Sequence, residues 1–272
     1  MTSNTAQQDA AVADKAILAN SAYVDGRHLA ARQSIYRWQQ PQYDLPGIVA
    51  EELAGTTGTV LDVGCGNGKF VSRLHKDRPD LQVVGMDISA GILAEVEKPV
   101  LVADAQALPF ADESADAVLA LHMLYHVSDI EATIKELARI LRSGGVLIAS
   151  TNSDTDKQEL DQLWARAAGD VLGIPGGPAR VSLSSRFSLE KAPGYLGTAF
   201  NDIRVRELPG TIEITDPAPI VAHLASYEAW ADQCGVPFHE TVSRAAEIAA
   251  AAILDEGAFK IRCLGGVLAC RP

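Results

Sequence analysis

Residues 61–68 read Leu-Asp-Val-Gly-Cys-Gly-Asn-Gly, and they join a short apolar run to a stretch with helical periodicity. Glycines let the backbone turn tightly and approach a ligand closely, so this stretch predicts a strand, a ligand-binding loop and a helix. The glycine spacing is G-x-G-x-G, whereas a dinucleotide-binding turn usually has G-x-G-x-x-G. A glycine loop alone is weak evidence of function, so the assignment depends on the residues that follow it.

The segment around the loop, residues 58–151, alternates short apolar runs with helical stretches. This alternation is typical of a parallel sheet covered by helices on both faces. Each predicted strand is short, apolar and bounded by Gly, Asp or Ser; the strands cover 59–63, 82–87, 100–103, 117–121 and 146–150. The connecting helices are predicted over 69–76, 90–97 and 130–141, with the glycines at 144–145 closing the last of them. The sequence therefore predicts an α/β fold.

Helical and strand patterns continue on both sides of this segment. A helical stretch at 10–36, with a break near residues 25–26, precedes the predicted sheet. After the sheet, strand character returns at 202–207, 211–215 and 259–270, and helical stretches cover 157–171, 218–233 and 240–254. We therefore expect helices before the central sheet and a mixed segment after it.

The overall composition excludes several classes of function. A formal net charge of −12 and a pI near 4.9 oppose nucleic-acid binding, which depends mainly on clustered Lys and Arg. No stretch approaches the ~20 apolar residues of a membrane helix, and residues 1–14 lack the pattern of a secretory signal. The four cysteines have no zinc-ligand spacing, which favours reduced thiols. We expect a cytoplasmic protein that binds neither nucleic acid nor membrane.

Two further acids end predicted strands. Asp87 ends the second strand, 23 residues after Gly64. A carboxylate there can accept hydrogen bonds from both hydroxyls of an adenosine ribose, which fits NAD equally well. Asp104 ends the third strand within Ala-Asp-Ala-Gln-Ala-Leu-Pro-Phe at 103–110, where its carboxylate and the next backbone N–H could meet the adenine amine and a ring nitrogen. This third landmark favours an adenosine ligand other than NAD.

The ordered set of motifs resembles the class I S-adenosylmethionine-dependent methyltransferases, specifically their small-molecule, methyltransferase type 11-like branch. The motifs that carry the resemblance are D-V-G-C-G-x-G, D-x-S, A-D-A-x-x-L-P-F and a post-strand H-V-x-D, and they span residues 60–148. Together with the stretch at 23–32, the layout is also similar to methyltransferases of actinobacterial natural-product pathways. The resemblance implies a doubly wound, Rossmann-like sheet of seven mostly parallel strands whose last strand is antiparallel.

The resemblance also implies three regions. Residues 1–45 are expected to form an N-terminal helical lid, a mobile cover over the cofactor that is too short to be a domain of its own. Residues 46–216 and 257–272 are expected to form the core that binds S-adenosylmethionine. Residues 217–256 are expected to be a helical insertion that caps the acceptor molecule.

The residues that the resemblance assigns to the cofactor lie in the glycine loop, at the strand ends and in the lid. They are Asp62, Gly64, Gly66, Gly68, Asp87, Ile88, Asp104, Ala105, Leu121, Arg32 and Tyr23. The glycines are expected to line the methionine portion, and Asp62 to lie near its amino group. Asp87 is expected to hold the ribose, Asp104 with Ala105 the adenine, and Arg32 the cofactor carboxylate. Because the cofactor is a sulfonium cation, a pocket rich in Asp is electrostatically reasonable.

Two histidines follow the fourth predicted strand, at the sheet edge where ligands bind in open α/β folds. His122 is the candidate general base, because the ordinary pKa of His, about 6.5, allows proton uptake near neutral pH. Tyr23 and Tyr125 are candidate catalytic neighbours that could hold or relay a hydrogen bond. His126 completes the candidate set, although a structural, hydrogen-bonding role is favoured for it. No metal site is expected, because this pair has no evident third ligand nearby.

The expected reaction is transfer of a methyl group from sulfur to a nucleophilic N, C or O atom of a small molecule. The expected acceptor is an amine or an electron-rich aromatic natural product, such as a phenol or indole, because aromatic residues crowd the predicted cap. Two alternatives remain open. One is a nicotinamide-dependent oxidoreductase, for which the third glycine is out of place; the other is a non-catalytic cofactor-binding protein on the same fold. The protein is expected to be a monomer or a homodimer.

Overall fold

The strands join in one sheet within the part of the chain that the structure describes. The structure, a computed structural model, describes the backbone of residues 2–272 and the side chains from residue 6 onward. The strands are β1 (Gln39–Gln40), β2 (Gly58–Val63), β3 (Leu81–Asp87), β4 (Val100–Val102), β5 (Ala115–Leu121), β6 (Leu141–Asn152), β7 (Asp202–Ile214) and β8 (Phe259–Arg271). Their order across the sheet is β1-β7-β8-β6-β5-β2-β3-β4.

Helices cover the sheet and extend beyond it at both ends of the chain. The α-helices are α1 (Thr2–Val12), α2 (Lys15–Ile17), α3 (Arg27–Ser34), α4 (Leu45–Glu52), α5 (Lys69–Asp77), α6 (Ile130–Ile140), α7 (Gln158–Leu172), α8 (Ala192–Leu196), α9 (Ala218–Ala225) and α10 (Phe238–Glu256). A π-helical turn covers Leu18–Ala22, and 3₁₀ turns cover Ile35–Trp38, Ile92–Glu95, Leu124–His126, Ser184–Arg186 and Glu228–Gln233. No helix in residues 2–272 has both the length and the apolar character needed to cross a bilayer.

The direction of the strands confirms the predicted doubly wound α/β sheet. Strands β2 to β6 are parallel, and β8 runs antiparallel to both β6 and β7. The order reverses between β2 and β5, which is the switch point where a crevice opens at the carboxyl ends of parallel strands. The predicted count of seven is short by one strand. The additional strand, β1, has two residues that pair with Ile212 and Thr211, too few to leave a pattern in the sequence.

The sheet is buried because helices pack on both of its faces. Strand β5 illustrates this, since six of its seven residues are buried, as expected for a central parallel strand. Helix α6 presents Ile134 and Leu137 to the core and begins at Asp129, whose side chain accepts a hydrogen bond from the Ala132 N–H at 2.9 Å. Such a cap and apolar stripe fix the helix between β5 and β6, and thereby the position of the segment that follows β5.

Four differences separate the predicted elements from the structure, and the first two concern a helix and a pair of strands. The stretch at 90–97 forms only a 3₁₀ turn, Ile92–Glu95, because Gly91 lies against the backbone of Val24; a Cβ at Gly91 would come within 2.1 Å of that carbonyl oxygen. The two strands predicted at 202–207 and 211–215 are one strand, β7, which runs through Pro209 and Gly210. In both places the local sequence pattern gave the wrong secondary structure, because contacts with distant residues determine the backbone conformation.

The other two differences concern helix ends. Helix α6 ends at Ile140 and β6 begins at the next residue, so Gly144, with φ of +77°, lies inside β6 and does not close the helix. The helical stretch predicted at 218–233 divides into α9 and the 3₁₀ turn Glu228–Gln233.

The N-terminal segment and the insertion pack against each other and against the main core. Val12, Ala22 and Ile35 are fully buried members of that core. The indole N–H of Trp230, in the predicted insertion, donates a hydrogen bond to the carbonyl oxygen of Ala11 at 3.1 Å. Both regions therefore cover the same edge of the sheet, at the carboxyl ends of its parallel strands.

Candidate functional site

A cavity of about 340 Å³ opens at the carboxyl ends of the parallel strands. Its wall includes residues that directly follow β2, β3, β4, β5 and β6. The N-terminal segment contributes Tyr23 and Arg32, and the insertion contributes His223 and Tyr227. The cavity is therefore built from chain segments that are far apart in sequence, at the edge where the sequence predicted a ligand.

The glycine loop forms one wall in a fixed backbone conformation. Gly64, Gly66 and Gly68 have φ of +74°, +54° and +71°, a region that other residues rarely occupy. The amides of Gly64 and Cys65 both donate to the carbonyl oxygen of Met86, at 2.7 and 2.8 Å. A Cβ at Gly64 would lie 2.7 Å from the Cβ of Met123, so the loop also needs glycine for space. Gly68 begins α5 and does not line the cavity.

Asp62 lies beneath the glycine loop and is fully buried. Neither of its carboxylate oxygens has a hydrogen-bond partner among the residues that the structure describes. Burial, and secondarily the charge of Asp87, raises the pKa of Asp62 to about 7. A buried carboxylate without a partner is unfavourable by itself, and a cationic amino group at the loop would relieve it.

Asp87 ties the end of β3 to the glycine loop. Its Oδ2 accepts a hydrogen bond from the Gly66 N–H and its Oδ1 accepts one from the Ser89 N–H, both at 3.0 Å. Burial raises its pKa, and these backbone N–H donors oppose that rise. Both Asp87 and Ile88 line the cavity, where the carboxylate has further lone pairs for ligand hydroxyls.

Asp104 and Ala105 form the wall beyond β4. The Asp104 carboxylate accepts a hydrogen bond from the Gln106 N–H at 3.0 Å. It also forms an ion pair with Lys15. Burial opposes ionisation of Asp104, but these two donors hold its pKa below the ordinary value. Lys15 was missed by sequence reasoning, because it lies on a three-residue helix in the N-terminal segment with no motif around it.

His122 directly follows β5 in a backbone conformation that is rare for its type. Its φ is +54°, and its N–H donates to the carbonyl oxygen of Ser150 at 3.0 Å. Burial, followed by the positive charges of Lys157 and Lys69, lowers the pKa of His122 to about 4. The ring lines the cavity and is uncharged at neutral pH, so a ring nitrogen has a free lone pair, but the lowered pKa makes it a weaker base than an exposed His.

His126 links the segment after β5 to the N-terminal segment. Its Nδ1 lies 2.8 Å from the Val12 carbonyl oxygen, which can only accept, so Nδ1 carries the proton. Its Nε2 therefore accepts the hydrogen bond from the Tyr23 hydroxyl at 2.7 Å. Burial lowers the pKa of His126 to about 3. Tyr125 lies beside it, with the two ring centroids 4.6 Å apart.

The comparisons with known proteins agree with this geometry. The sequence model of a family described as a methyltransferase domain matches residues 61–149, from the end of β2 to β6. The matched residues therefore have the sequence pattern of a methyltransferase domain. This match favours S-adenosylmethionine over a nicotinamide cofactor. The narrower likeness to actinobacterial natural-product enzymes stays a prediction.

Two curated relatives are similar to part of the chain. The malonyl-[acyl-carrier protein] O-methyltransferase of Legionella pneumophila is 33% identical over 116 residues, 40% of this chain and 41% of the relative. The tRNA (carboxymethyluridine(34)-5-O)-methyltransferase of Arabidopsis thaliana is 34% identical over 147 residues, 49% of this chain and 35% of the relative. The chain thus spans about two fifths of the length of the curated relatives that it matches.

A solved structure shows the same fold over more of the chain. Phosphoethanolamine N-methyltransferase 2 of Haemonchus contortus, in complex with phosphomonomethylethanolamine and S-adenosylhomocysteine, has a TM-score of 0.52 and 18% identity. The similarity covers 94% of this chain and 59% of that protein.

The residues of the cavity fit S-adenosylmethionine, the cofactor that the domain match favours. The glycine loop leaves room for a closely approaching ligand, and the Asp62 carboxyl below it has no hydrogen-bond partner among the described residues. Of the residues predicted for cofactor and catalysis, all line the cavity except Asp62, which lies in β2, and Gly68, which begins α5. The described residues contain no group of three or more His, Cys, Asp or Glu side chains placed to hold a metal ion.

Arg32 lies in the cavity wall among aromatic rings. Its Nη1 donates to the carbonyl oxygen of Ser226 at 2.8 Å, and its Nη2 has no partner among the described residues. Its Cζ lies 5.1 Å from the ring centroid of Tyr23 and 5.8 Å from that of Tyr227. No carboxylate of the described chain pairs with this buried guanidinium, which leaves a charge for a ligand to neutralise.

Three further polar residues of the cavity wall carried no sequence signal: Lys157, Arg180 and His223. Lys157 has φ of +59°, and its Nζ forms an ion pair with Asp156 and donates to the Tyr36 hydroxyl at 2.7 Å. Lys157, Arg180 and His223 come from three separate segments, so only the tertiary fold places them at one cavity. Two of the three described non-glycine residues with positive φ, His122 and Lys157, line it, as is common at functional sites.

We expect Asp87→Ala to weaken S-adenosylhomocysteine binding by about 1.5–3 kcal/mol, because ribose hydroxyls lose a charged acceptor. Isothermal titration calorimetry measures the change, and Asp232→Ala, an exposed carboxylate without an ion pair among the described residues, is the control. Since Asp87 also holds the Gly66 N–H, Asp87→Asn, which keeps an acceptor oxygen, should lose less affinity. An unchanged affinity in Asp87→Ala would place the ribose contact elsewhere.

Proposed function

We propose that this methyltransferase transfers a methyl group from S-adenosylmethionine to an N, O or C atom of a small molecule. The observation that carries the proposal is the cavity covered by both the N-terminal segment and the insertion. The acidic side chains Asp87 and Asp104 line it past β3 and β4, and His122 lines it at the end of β5. A cavity of this kind suits a ligand of limited size.

The proposed cofactor contacts follow from the charges in the wall. S-adenosylmethionine supplies an electrophilic methyl group on a positively charged sulfur. Asp62 would balance its amino group, Asp87 its ribose hydroxyls, and Asp104 with Ala105 its adenine. Arg32, whose Nη2 lacks a partner, would pair with its carboxylate. The net negative charge of the loop side favours a cationic cofactor.

The residues at the end of β5 are proposed to position the acceptor molecule, to exclude water from it and, where needed, to remove its proton. The buried side chains of Leu124 and Tyr125 limit the access of solvent to the end of β5. His122 would accept a proton from an acceptor N–H or O–H, since its ring is unprotonated at neutral pH. Acceptors that need no deprotonation would depend on positioning alone.

The small-molecule proposal has to be weighed against the relatives, which by name act on an acyl-carrier protein and on tRNA. The formal net charge of −12 opposes a polyanionic acceptor. The cover made by the N-terminal segment and by Tyr227 also restricts access to the cavity. We propose an amine or an electron-rich aromatic natural product as acceptor, and a cytoplasmic monomer or homodimer as the working form.

Calorimetry and a turnover assay test the proposal. We expect S-adenosylhomocysteine to bind with a Kd in the micromolar range, about −8 kcal/mol, and NAD not to bind. Consumption of S-adenosylmethionine should rise with small amines and phenols, and not with tRNA or acyl-carrier protein. Binding of NAD without binding of S-adenosylhomocysteine would refute the reaction, and turnover with only a macromolecule would refute the acceptor class.

A further inference from the structure

Two arginine side chains, Arg180 and Arg32, lie against Tyr227 in the cavity wall. The Cζ of Arg180 lies 4.9 Å from the Tyr227 ring centroid, and the Cζ of Arg32 lies 5.8 Å from it. The side chain of Arg180 is only 9% exposed. Arg32 has a proposed partner in the cofactor carboxylate, whereas Arg180 has no task in the reaction described above.

The hydrogen-bonding capacity of Arg180 is only partly used by the protein. Its Nε lies 2.6 Å from Oδ1 of Asp161, whose side chain is 47% exposed. Its Nη1 is buried and has no hydrogen-bond partner among the described residues. A buried guanidinium N–H without an acceptor is unfavourable, and a half-exposed carboxylate neutralises it incompletely because water screens that charge.

His223 provides a second unsatisfied group at the same place. It is 2% exposed, its ring centroid lies 5.6 Å from that of Tyr227, and neither ring nitrogen has a partner among the described residues. Burial, followed by the charges of Arg180, Lys157 and Arg32, holds its pKa well below the ordinary value. The ring is therefore neutral and has one N–H to donate.

We propose that Arg180, His223 and Tyr227 form a subsite, called here the carboxylate subsite, that binds a carboxylate group of the acceptor molecule. The inference rests on the proposed function and makes it more specific. The planar guanidinium of Arg180 matches a carboxylate, and the His223 N–H supplies a further donor. The Tyr227 ring packs against both groups and lines the cavity with them. The acceptor is thus a small carboxylic acid whose methyl-accepting atom is a separate amine or phenol group.

The charge at the subsite favours a singly charged group over a doubly charged one. Asp161 already neutralises part of the Arg180 charge. Lys157 is paired with Asp156, so its ammonium adds little attraction for a second negative charge. A carboxylate therefore fits better than a phosphate, and inorganic phosphate serves as the competing probe.

Isosteric pairs of probes test the subsite in protein saturated with S-adenosylhomocysteine. The pairs are 4-hydroxybenzoate with 4-hydroxybenzamide, anthranilate with anthranilamide, and indole-3-carboxylate with its amide. Calorimetry should show at least one carboxylate binding about tenfold or more tightly than its amide. In Arg180→Gln this ratio should fall to about one. Arg166→Gln, an exposed arginine of the same chain on α7, should keep the ratio of the unmodified protein.

Asp161→Asn is expected to have the opposite effect on binding of the carboxylate probes. This second variant keeps the test valid if Arg180→Gln does not fold. Removing the competing carboxylate should tighten binding of the carboxylate probes several-fold and leave the amides unchanged. S-adenosylhomocysteine affinity should stay the same in Arg180→Gln and Asp161→Asn.

Three results would overturn the subsite: equal binding of every carboxylate and its amide, an undiminished ratio in Arg180→Gln, or phosphate binding tighter than every carboxylate. Repeating the titrations without S-adenosylhomocysteine separates the two proposals. A carboxylate preference that depends on Arg180 supports the subsite even where the cofactor fails to bind, whereas loss of cofactor binding alone counts against the proposed reaction.

Discussion

In His122→Asn, turnover is expected to fall about 10²–10⁴-fold, while S-adenosylhomocysteine affinity stays unchanged. Asparagine tolerates the left-handed backbone that His122 adopts, so the variant removes the base without adding strain to the segment after β5. The size of the loss depends on the acceptor, because only an acceptor that loses its proton in the slow step needs a base. Steady-state kinetics with the acceptor found in the turnover assay, together with calorimetry, measures both quantities.

The pH dependence sharpens this prediction. Because the pKa of His122 is lowered to about 4, its ring stays unprotonated from pH 6 to 9, and turnover should not decline through its protonation in that range. His239→Ala, an exposed histidine on α10, is the matched control and should retain full activity. Full turnover of His122→Asn across pH 6 to 9 would show that methyl transfer proceeds by positioning alone.

Asp62→Asn is expected to stabilise the protein without ligand at pH 8 by about 2–4 kcal/mol, and to weaken S-adenosylhomocysteine binding tenfold or more. In the folded protein the pKa of Asp62 is raised to about 7, whereas an unfolded chain has an Asp pKa of about 3.9. Between these two values the folded state holds a proton that the unfolded state has released. Stability is therefore lost as the pH rises from about 4 to about 7, and the full penalty is present above pH 7.

Urea denaturation of the ligand-free protein at pH 4 and pH 8 tests the assignment. The variant should be more stable than the parent at pH 8, and the difference should disappear near pH 4. Asp232→Asn, which removes an exposed carboxylate, should change stability little at either pH. A less stable Asp62→Asn protein at pH 8 would mean that the buried carboxylate has a partner that this structure does not contain.

The fold was largely predictable because its strongest signals are local. The strands β2, β3 and β5 are short apolar runs bounded by polar residues, and each carries a glycine, aspartate or histidine at its carboxyl end. The predicted helix at 90–97 was wrong because the N-terminal segment packs over Gly91, a contact that no local pattern records. Strand β1 exists only because β7 offers it an edge, so it could not be predicted from residues 39–40 alone.

The residues of the candidate site also fall into two groups, those that the sequence predicted and those that it did not. Asp87, Asp104 and His122 were found because they lie at or just past the ends of β3, β4 and β5, and parallel strands bring their carboxyl ends to one edge of the sheet. Lys157, Arg180 and His223 could not be found, because each lies outside the parallel strands that carry the motifs. Their joint presence at the cavity depends on the packing of α7, α9 and the N-terminal segment, which is a long-range property of the fold.

The Tyr23 hydroxyl donates its only proton to His126, so its oxygen offers lone pairs alone to any molecule that enters the cavity. An acceptor whose N–H or O–H faces this oxygen gains a hydrogen bond, whereas an ether or carbonyl oxygen at the same place is repelled. Methylation of an oxygen removes the hydrogen that made the contact favourable. The Tyr23 hydroxyl would therefore favour binding of the unmethylated form of a compound over its O-methylated form. The product would then bind less tightly than the acceptor.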